Sequence, residues 1–138
     1  MVFQTQLRFS TTGRGTYNIS QQISEAITQS GIKTGIAHIF LQHTSASLVL
    51  CENADPTVRT DLETFMARLV PDGDPMFKHQ DEGPDDMPAH IRTMLSGESL
   101  CIPVRKGKSD LGIWQGVFLW EHRVHSHKRM ISLTVLGE

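Results

Sequence analysis

The residues best suited to chemistry are three histidines and a knot of acids. His43 is followed by Thr44, Ser45, Ala46 and Ser47. His79 and His90 bracket Gln-Asp-Glu-Gly-Pro-Asp-Asp-Met-Pro-Ala, a stretch with four carboxylates, one glycine and two prolines. Acids this dense repel one another unless a cation sits among them, and imidazoles at both ends make a metal ion the natural candidate. Neutral imidazole is a common ligand for zinc, and three protein ligands with one open position is the usual catalytic arrangement. The expected metal ligands are therefore His43, His79 and His90. The competing reading is that one or two of them are hydrogen-bonded structural histidines. Zinc is the leading ion, and magnesium is the alternative, since it prefers oxygen ligands and often bridges to substrate phosphates.

The acids divide by position. Asp55 precedes Pro56, and Asp86 precedes Met87-Pro88. Both fit helix N-caps better than metal ligands. Glu82 and Asp85 lack that explanation and stand as catalytic candidates, with Glu52 upstream. Gln115, Glu121 and Arg123 share parity and would face one side of a strand, forming a pocket wall. Arg123 could pair with Glu121 or clamp a phosphate through both ends of its guanidinium. Thr44 and Ser45, with their backbone amides, could help hold an anion. Ser45 or Ser47 could act as a nucleophile beside His43, but no Gly-x-Ser-x-Gly elbow surrounds them.

The elements that must position these groups follow from hydrophobic periodicity. Phe3, Thr5, Leu7 and Phe9 alternate with Gln4, Gln6 and Arg8 as in a half-buried strand. Ile23, Ala26 and Ile27 give one face of a helix over about 20–30, closed by Gly31. The apolar run over 35–41 reads as a strand buried on both faces, with a hairpin or bulge at His43. Val58, Leu62, Phe65, Met66 and Leu69 mark a second helix over about 56–69. Residues 70–86 carry three prolines and little periodicity. A loop of that length in a compact domain is usually functional. A short third helix spans about 87–95. Strands follow over 99–104 (interrupted by Pro103), 112–122 and 129–136, with Trp114, Phe118 and Trp120 on the core side of the second. The fold class is α+β: a mixed, largely antiparallel sheet or sandwich with about three helices, in a single domain over 1–138.

Bulk properties exclude several classes. The chain has 138 residues, a net charge of -2 and 38% hydrophobic residues. No nucleic-acid or membrane-surface partner is implied, no run reaches membrane-spanning length, and no signal peptide is evident, so a cytoplasmic location is expected. Cys51 and Cys101 read as reduced, buried small hydrophobes.

Four blocks carry a family resemblance. They are His43-Thr44-Ser45-Ala46-Ser47-Leu48, Glu52-Asn53-Ala54-Asp55-Pro56, Glu82-Gly83-Pro84-Asp85-Asp86-Met87-Pro88-Ala89-His90-Ile91, and Gly112-Ile113-Trp114-Gln115-Gly116 with Glu121-His122-Arg123. Together they resemble the secondary thiamine-phosphate synthase family of YjbQ-like proteins. The resemblance implies a compact α+β fold, a homotrimer, and a metal site of histidines near a subunit boundary, here His43, His79 and His90. The implied activity joins a hydroxymethylpyrimidine diphosphate to a thiazole phosphate with release of diphosphate. In that setting Glu52, Glu82, Asp85 and Arg123 are the catalytic candidates. Thr44, Ser45, Asn53, Gln115, Glu121 and His122 are the substrate-binding ones. A metal-dependent hydrolase of a small phosphorylated or ester substrate is the alternative, and a non-catalytic trimer that binds metal or an anion is the third reading.

Overall fold

A computed structural model describes residues 1–138. The chain forms β1 (Val2–Ser10), β2 (Gly15–Asn18), α1 (Ser20–Ser30), β3 (Thr34–Leu41), β4 (Ala46–Glu52), α2 (Pro56–Leu69), α3 (Asp86–Ser96), β5 (Ser99–Arg105), β6 (Lys108–Ser109), β7 (Gln115–Glu121) and β8 (Lys128–Gly137). Five strands pair in the order β1-β8-β3-β5-β6, and three more in the order β2-β7-β4. Every pairing is antiparallel. The fold is α+β with three helices, as the periodicity predicts.

The main core lies between the two sheets and α1. Ala37, Ile39 and Leu41 of β3 and Ile131, Leu133 and Val135 of β8 meet Ile23 and Ile27 of α1 and Leu48, Val117 and Leu119 of the smaller sheet. A smaller cluster of Met66, Val70 and Trp120 joins α2 to the other face of β7. With α2 on one side and the core on the other, β7 is buried on both faces from Gly116 to Glu121.

Several expectations are corrected here. β3 is not buried on both faces: Ile36 and Phe40 are 43% and 40% exposed, alternating with fully buried Ala37 and Ile39. The outer face of the five-stranded sheet carries no covering layer, and Cys101 is exposed for the same reason. No hairpin joins β3 to β4. The strands belong to different sheets, and the chain crosses between them at residues 42–45. Small side chains at 44–47 permit that close crossing. Phe65 and Leu69 of α2 are exposed because the three-stranded sheet is too narrow to cover both flanks of the helix. Trp114 precedes β7 and is 60% exposed rather than core.

Asp55 does cap α2, accepting from the Thr57 N–H at 2.9 Å. Asp86 caps nothing. It is the first residue of α3, and neither it nor Asp85 makes a side-chain cap bond.

β3 and β8 approach so closely at Gly35 that a Cβ there would lie 1.9 Å from the Leu136 carbonyl oxygen. Gly35→Ala must therefore force apart a central strand pair. It is expected to destabilise the fold by about 3 kcal/mol, read from chemical denaturation.

Candidate functional site

α3 builds the site. Asp86 and His90 are four residues apart and so stack on one helix face. Asp86 Oδ1 lies 3.5 Å from His90 Nε2, and Asp86 Oδ2 lies 2.7 Å from His79 Nε2. One ligand atom from each of His79, Asp86 and His90 falls within 4.8 Å of the others. The two imidazole rings meet edge to face at 5.2 Å between centroids. Asp86 is buried, while His79 and His90 are open to solvent by about half and a third of their side chains.

The His90 tautomer follows from its other nitrogen. Nδ1 lies 3.0 Å from the Thr44 carbonyl oxygen, which can only accept. Nδ1 therefore carries a proton, and Nε2 is the ring nitrogen turned toward the Asp86 carboxylate. In the neutral ring that nitrogen is a lone pair able to take a metal ion. An imidazole that donates its far N–H to a carbonyl while its near nitrogen meets a carboxylate has the outer support usual for metal-ligating histidine. The donor set of two imidazoles and one carboxylate fits zinc, and is too nitrogen-rich for magnesium.

His43 is not in this cluster. Its Nε2 accepts the Met130 N–H at 2.8 Å, which uses that lone pair in the sheet. Partial burial, the Arg129 charge and His127 hold its imidazole below its ordinary pKa. Asp86 occupies the third position expected for His43. His43 still stands nearby, sharing a 470 Å³ cavity with Phe40, Leu41, Thr44, His90 and Glu98. A second cavity of 310 Å³ reaches the cluster from the loop, past Gly73, Phe77, His79, Pro84 and Met87.

Arg123 holds the loop rather than waiting for a phosphate. Its Nε donates to Asp85 Oδ2 at 2.9 Å, Nη1 to Asp86 Oδ1 at 3.0 Å and Nη2 to the Glu82 carbonyl oxygen at 2.8 Å. Burial by itself would raise the Asp85 carboxyl. The Val124 N–H and the Arg123 guanidinium outweigh it and keep Asp85 below its ordinary range. Asp85 is thus an anchor, ionised and 4% exposed. Glu82 remains outside, 70% exposed, with one oxygen 3.6 Å from Arg123 Nη1. The turn that brings the acids together needs Gly83, whose φ is +107°.

Glu121 does not face a ligand either. It is fully buried, accepting from Thr11 Oγ1 at 2.7 Å and from Arg129 Nε and Nη2. Arg129 also reaches Ser45 Oγ at 3.0 Å, so Ser45 belongs to the same buried network. His122 is fully buried, with Nε2 2.7 Å from Ser47 Oγ. No cavity reaches this serine and histidine, which removes Ser47 as a nucleophile.

Three expected residues lie elsewhere. Glu52 and Gln115 face each other across β4 and β7 at the end remote from Ala46 and Glu121. Six residue steps of β4 separate them from the crossing beside His90, a span of roughly 20 Å. There Glu52 accepts the Asp55 N–H, Asn53 donates to the Ile113 and Gln115 carbonyls, and Gln115 accepts the Gly112 N–H. These bonds tie down loops. Sequence reasoning missed Asp86 as the hub. The Asp-x-x-x-His spacing on a helix was the signal that could have found it.

Comparison with known proteins agrees with this architecture. A family profile described as UPF0047 protein YjbQ-like matches residues 5–138. The chain belongs to the YjbQ-like UPF0047 family. It is 48% identical over 135 residues to a UPF0047 protein of Synechocystis, covering 98% of this chain and 92% of that protein. It is 45% identical to UPF0047 protein YjbQ of Escherichia coli, across 100% of both chains. Among solved structures, a YbjQ-like protein of unknown function from Sulfolobus solfataricus matches with a TM-score of 0.91 at 29% identity, covering 100% of this chain and 99% of that one. A conserved hypothetical protein from Thermus thermophilus gives 0.85 at 33% identity, covering 96% and 99%. No helix of this YjbQ-like chain is long and apolar enough to cross a membrane.

Burial pushes the His122 imidazole down to about 3, helped by the charges of Arg92, Arg14 and Arg129. Unfolded, it would bind a proton near pH 6.5. The unfolded chain thus holds more protons between these values. The His122 contribution is present above pH 6.5 and lost as pH falls toward 3, at about 1.4 kcal/mol per pH unit. Imidazole resonances followed by NMR should show His122 neutral down to pH 4. A His122 midpoint near 6.5 would contradict its burial as described.

Proposed function

We propose that this YjbQ-like protein is a metal-dependent enzyme acting on a small phosphorylated molecule, with thiamine-phosphate synthesis as its specific reaction. The observation that carries the reading is the convergence of His79, Asp86 and His90, with His90 Nδ1 held by the Thr44 carbonyl and its Nε2 turned into the cluster. A divalent ion there, zinc first, would act as a Lewis acid on a phosphoryl oxygen or on water. In the synthase reaction the bond between the pyrimidine methylene and the diphosphate oxygen breaks. The diphosphate leaves with the electron pair, and a bond forms to the thiazole nitrogen. Thr44 holds the His90 tautomer, and Arg123 fixes the Asp86 carboxylate. The apolar side of the cavity beside His90, with Phe40, Leu41 and Met94, suits an aromatic ring. Arg123 is already engaged on three sides, so it is not assigned to the leaving diphosphate.

A second reading, hydrolysis of a phosphorylated or ester substrate, is favoured by one feature. Glu82 is an exposed carboxylate that adjoins the centre, with one oxygen 3.6 Å from Arg123 Nη1, and could act as a base toward a bound water.

Untagged protein is expected to bind one zinc per chain at micromolar affinity or better. His79→Ala, Asp86→Asn and His90→Ala should each weaken binding about 100-fold and abolish condensation of the two thiamine precursors. His43→Ala should retain the metal. Absence of zinc binding removes the basis of both readings. Product released from a phosphate or ester panel with no thiazole phosphate present selects the hydrolase.

We further propose a homotrimer with the centre near a subunit boundary. The uncovered sheet face presents Val2, Ile36, Phe40 and Leu136 to solvent. Phe40 belongs both to that face and to the cavity beside His90. Sedimentation should give three chains of 15.4 kDa, and Ile36→Glu should release monomers. A monomeric wild type would end this assignment.

A further inference from the structure

Outside the metal cluster, the sheet carries a concentration of positive charge that the proposed chemistry has not used. A cavity of 330 Å³ opens where the end of β1 meets the start of β8, lined by Arg8, Ser10, His43, Lys128 and Arg129. Its lining has no carboxylate, although the chain as a whole has a net charge of -2. Arg129 is neutralised by Glu121 behind it. Arg8 and Lys128 are both exposed and enter no ion pair and no side-chain hydrogen bond, and the Ser10 hydroxyl is likewise free.

The register explains why they converge. Arg8 pairs with Met130 and Ser10 with Lys128 across the two antiparallel strands. Arg8 and Lys128 are therefore diagonal neighbours on one sheet face, roughly 7–8 Å apart at the backbone. Two like charges at that spacing repel, and an anion between them removes the repulsion. Arginine offers two parallel N–H groups, lysine an ammonium and serine a hydroxyl, which together match the oxygens of a phosphoryl group. The volume sits at the small end of the range for ligand pockets, about 300–1,000 Å³. That suits a phosphorylated small molecule better than a polymer track, and the charge is a pair in a recess rather than a stripe.

His43 makes the connection. It lines this cavity and also the one that contains His90. A ligand with its phosphate between Arg8 and Lys128 would have His43 beside it, the residue that also borders the cavity holding His90. We infer that the β1–β8 recess is a phosphoryl-binding subsite, with Arg8, Lys128 and Ser10 as its ligands and His43 as the wall shared with the reaction chamber. The subsite deepens the proposed reading by locating the substrate's phosphate, but anion binding there does not require the metal.

That independence shapes the test. Chelator-treated, metal-free full-length protein is titrated with inorganic phosphate while backbone amides are followed by NMR. Saturable shifts are expected at residues 8–10, 43 and 128–130, at millimolar phosphate. Arg8→Gln with Lys128→Gln should weaken binding about tenfold or more, as the loss of charge-assisted bonds requires, and both positions are exposed enough to leave the fold intact. If the double variant binds phosphate like the parent, if the shifts map elsewhere, or if nothing saturates, the subsite is wrong whatever the metal result. Failure of zinc binding with phosphate binding retained overturns the metal reading and leaves the subsite standing.

Discussion

The Arg123 guanidinium is the contact on which the candidate centre depends. It meets Asp85, Asp86 and the Glu82 carbonyl from a position just after β7. Asp85 and Asp86 are 4% and 2% exposed, and burying a carboxylate is costly unless a cation and hydrogen bonds compensate it. Truncating one member of such a buried pair typically costs about 3–5 kcal/mol, because the remaining charge is stranded. The arginine also does something geometrical. It takes one oxygen of Asp86 and leaves the other to His79. The acidic loop is thereby pinned to the sheet at the place where α3 begins.

A second buried network stands behind the first. Glu121, Arg129, Thr11 and Ser45 satisfy one another at the end of β7. Glu121 stays below its ordinary carboxylate range because the bonds from Arg129 and Thr11 outweigh its burial. The Arg129 side chain that closes this network also borders the recess with Arg8 and Lys128. Much of the buried polarity thus gathers at the end of the two sheets that carries the His79, Asp86 and His90 cluster and the recess between Arg8 and Lys128. The opposite end, with Glu52, Asn53 and Gln115, uses its polar groups to close turns.

Much of the scaffold was legible from periodicity. The spacing of Ile23, Ala26 and Ile27 gave α1 and its buried face, and Asp55-Pro56 gave the start of α2. The alternation in β1 and β8 is the alternation of their burial. What failed were statements about which faces meet. The apolar outer residues of β3 look like core in sequence, because a strand with Ile, His and Phe on an uncovered face has the same local pattern as one buried on both sides. Asp86 read as a cap because local spacing favours capping. Its partner Arg123 lies 37 residues away, beyond any local signal.

The sequence by itself determined the residue types of the centre, the acidic turn around Gly83 and the four-residue helical step from Asp86 to His90. These follow from short-range backbone geometry. Only the tertiary structure decided that Asp86 joins the two histidines while His43 bonds to the sheet. Only it separated Glu52 and Gln115 from the centre and set Arg8 diagonally across from Lys128. Those outcomes depend on strand register and on the crossing between sheets. Both are settled by how long-range pairs bury apolar faces and compensate buried charge, a choice that no window of neighbouring residues contains.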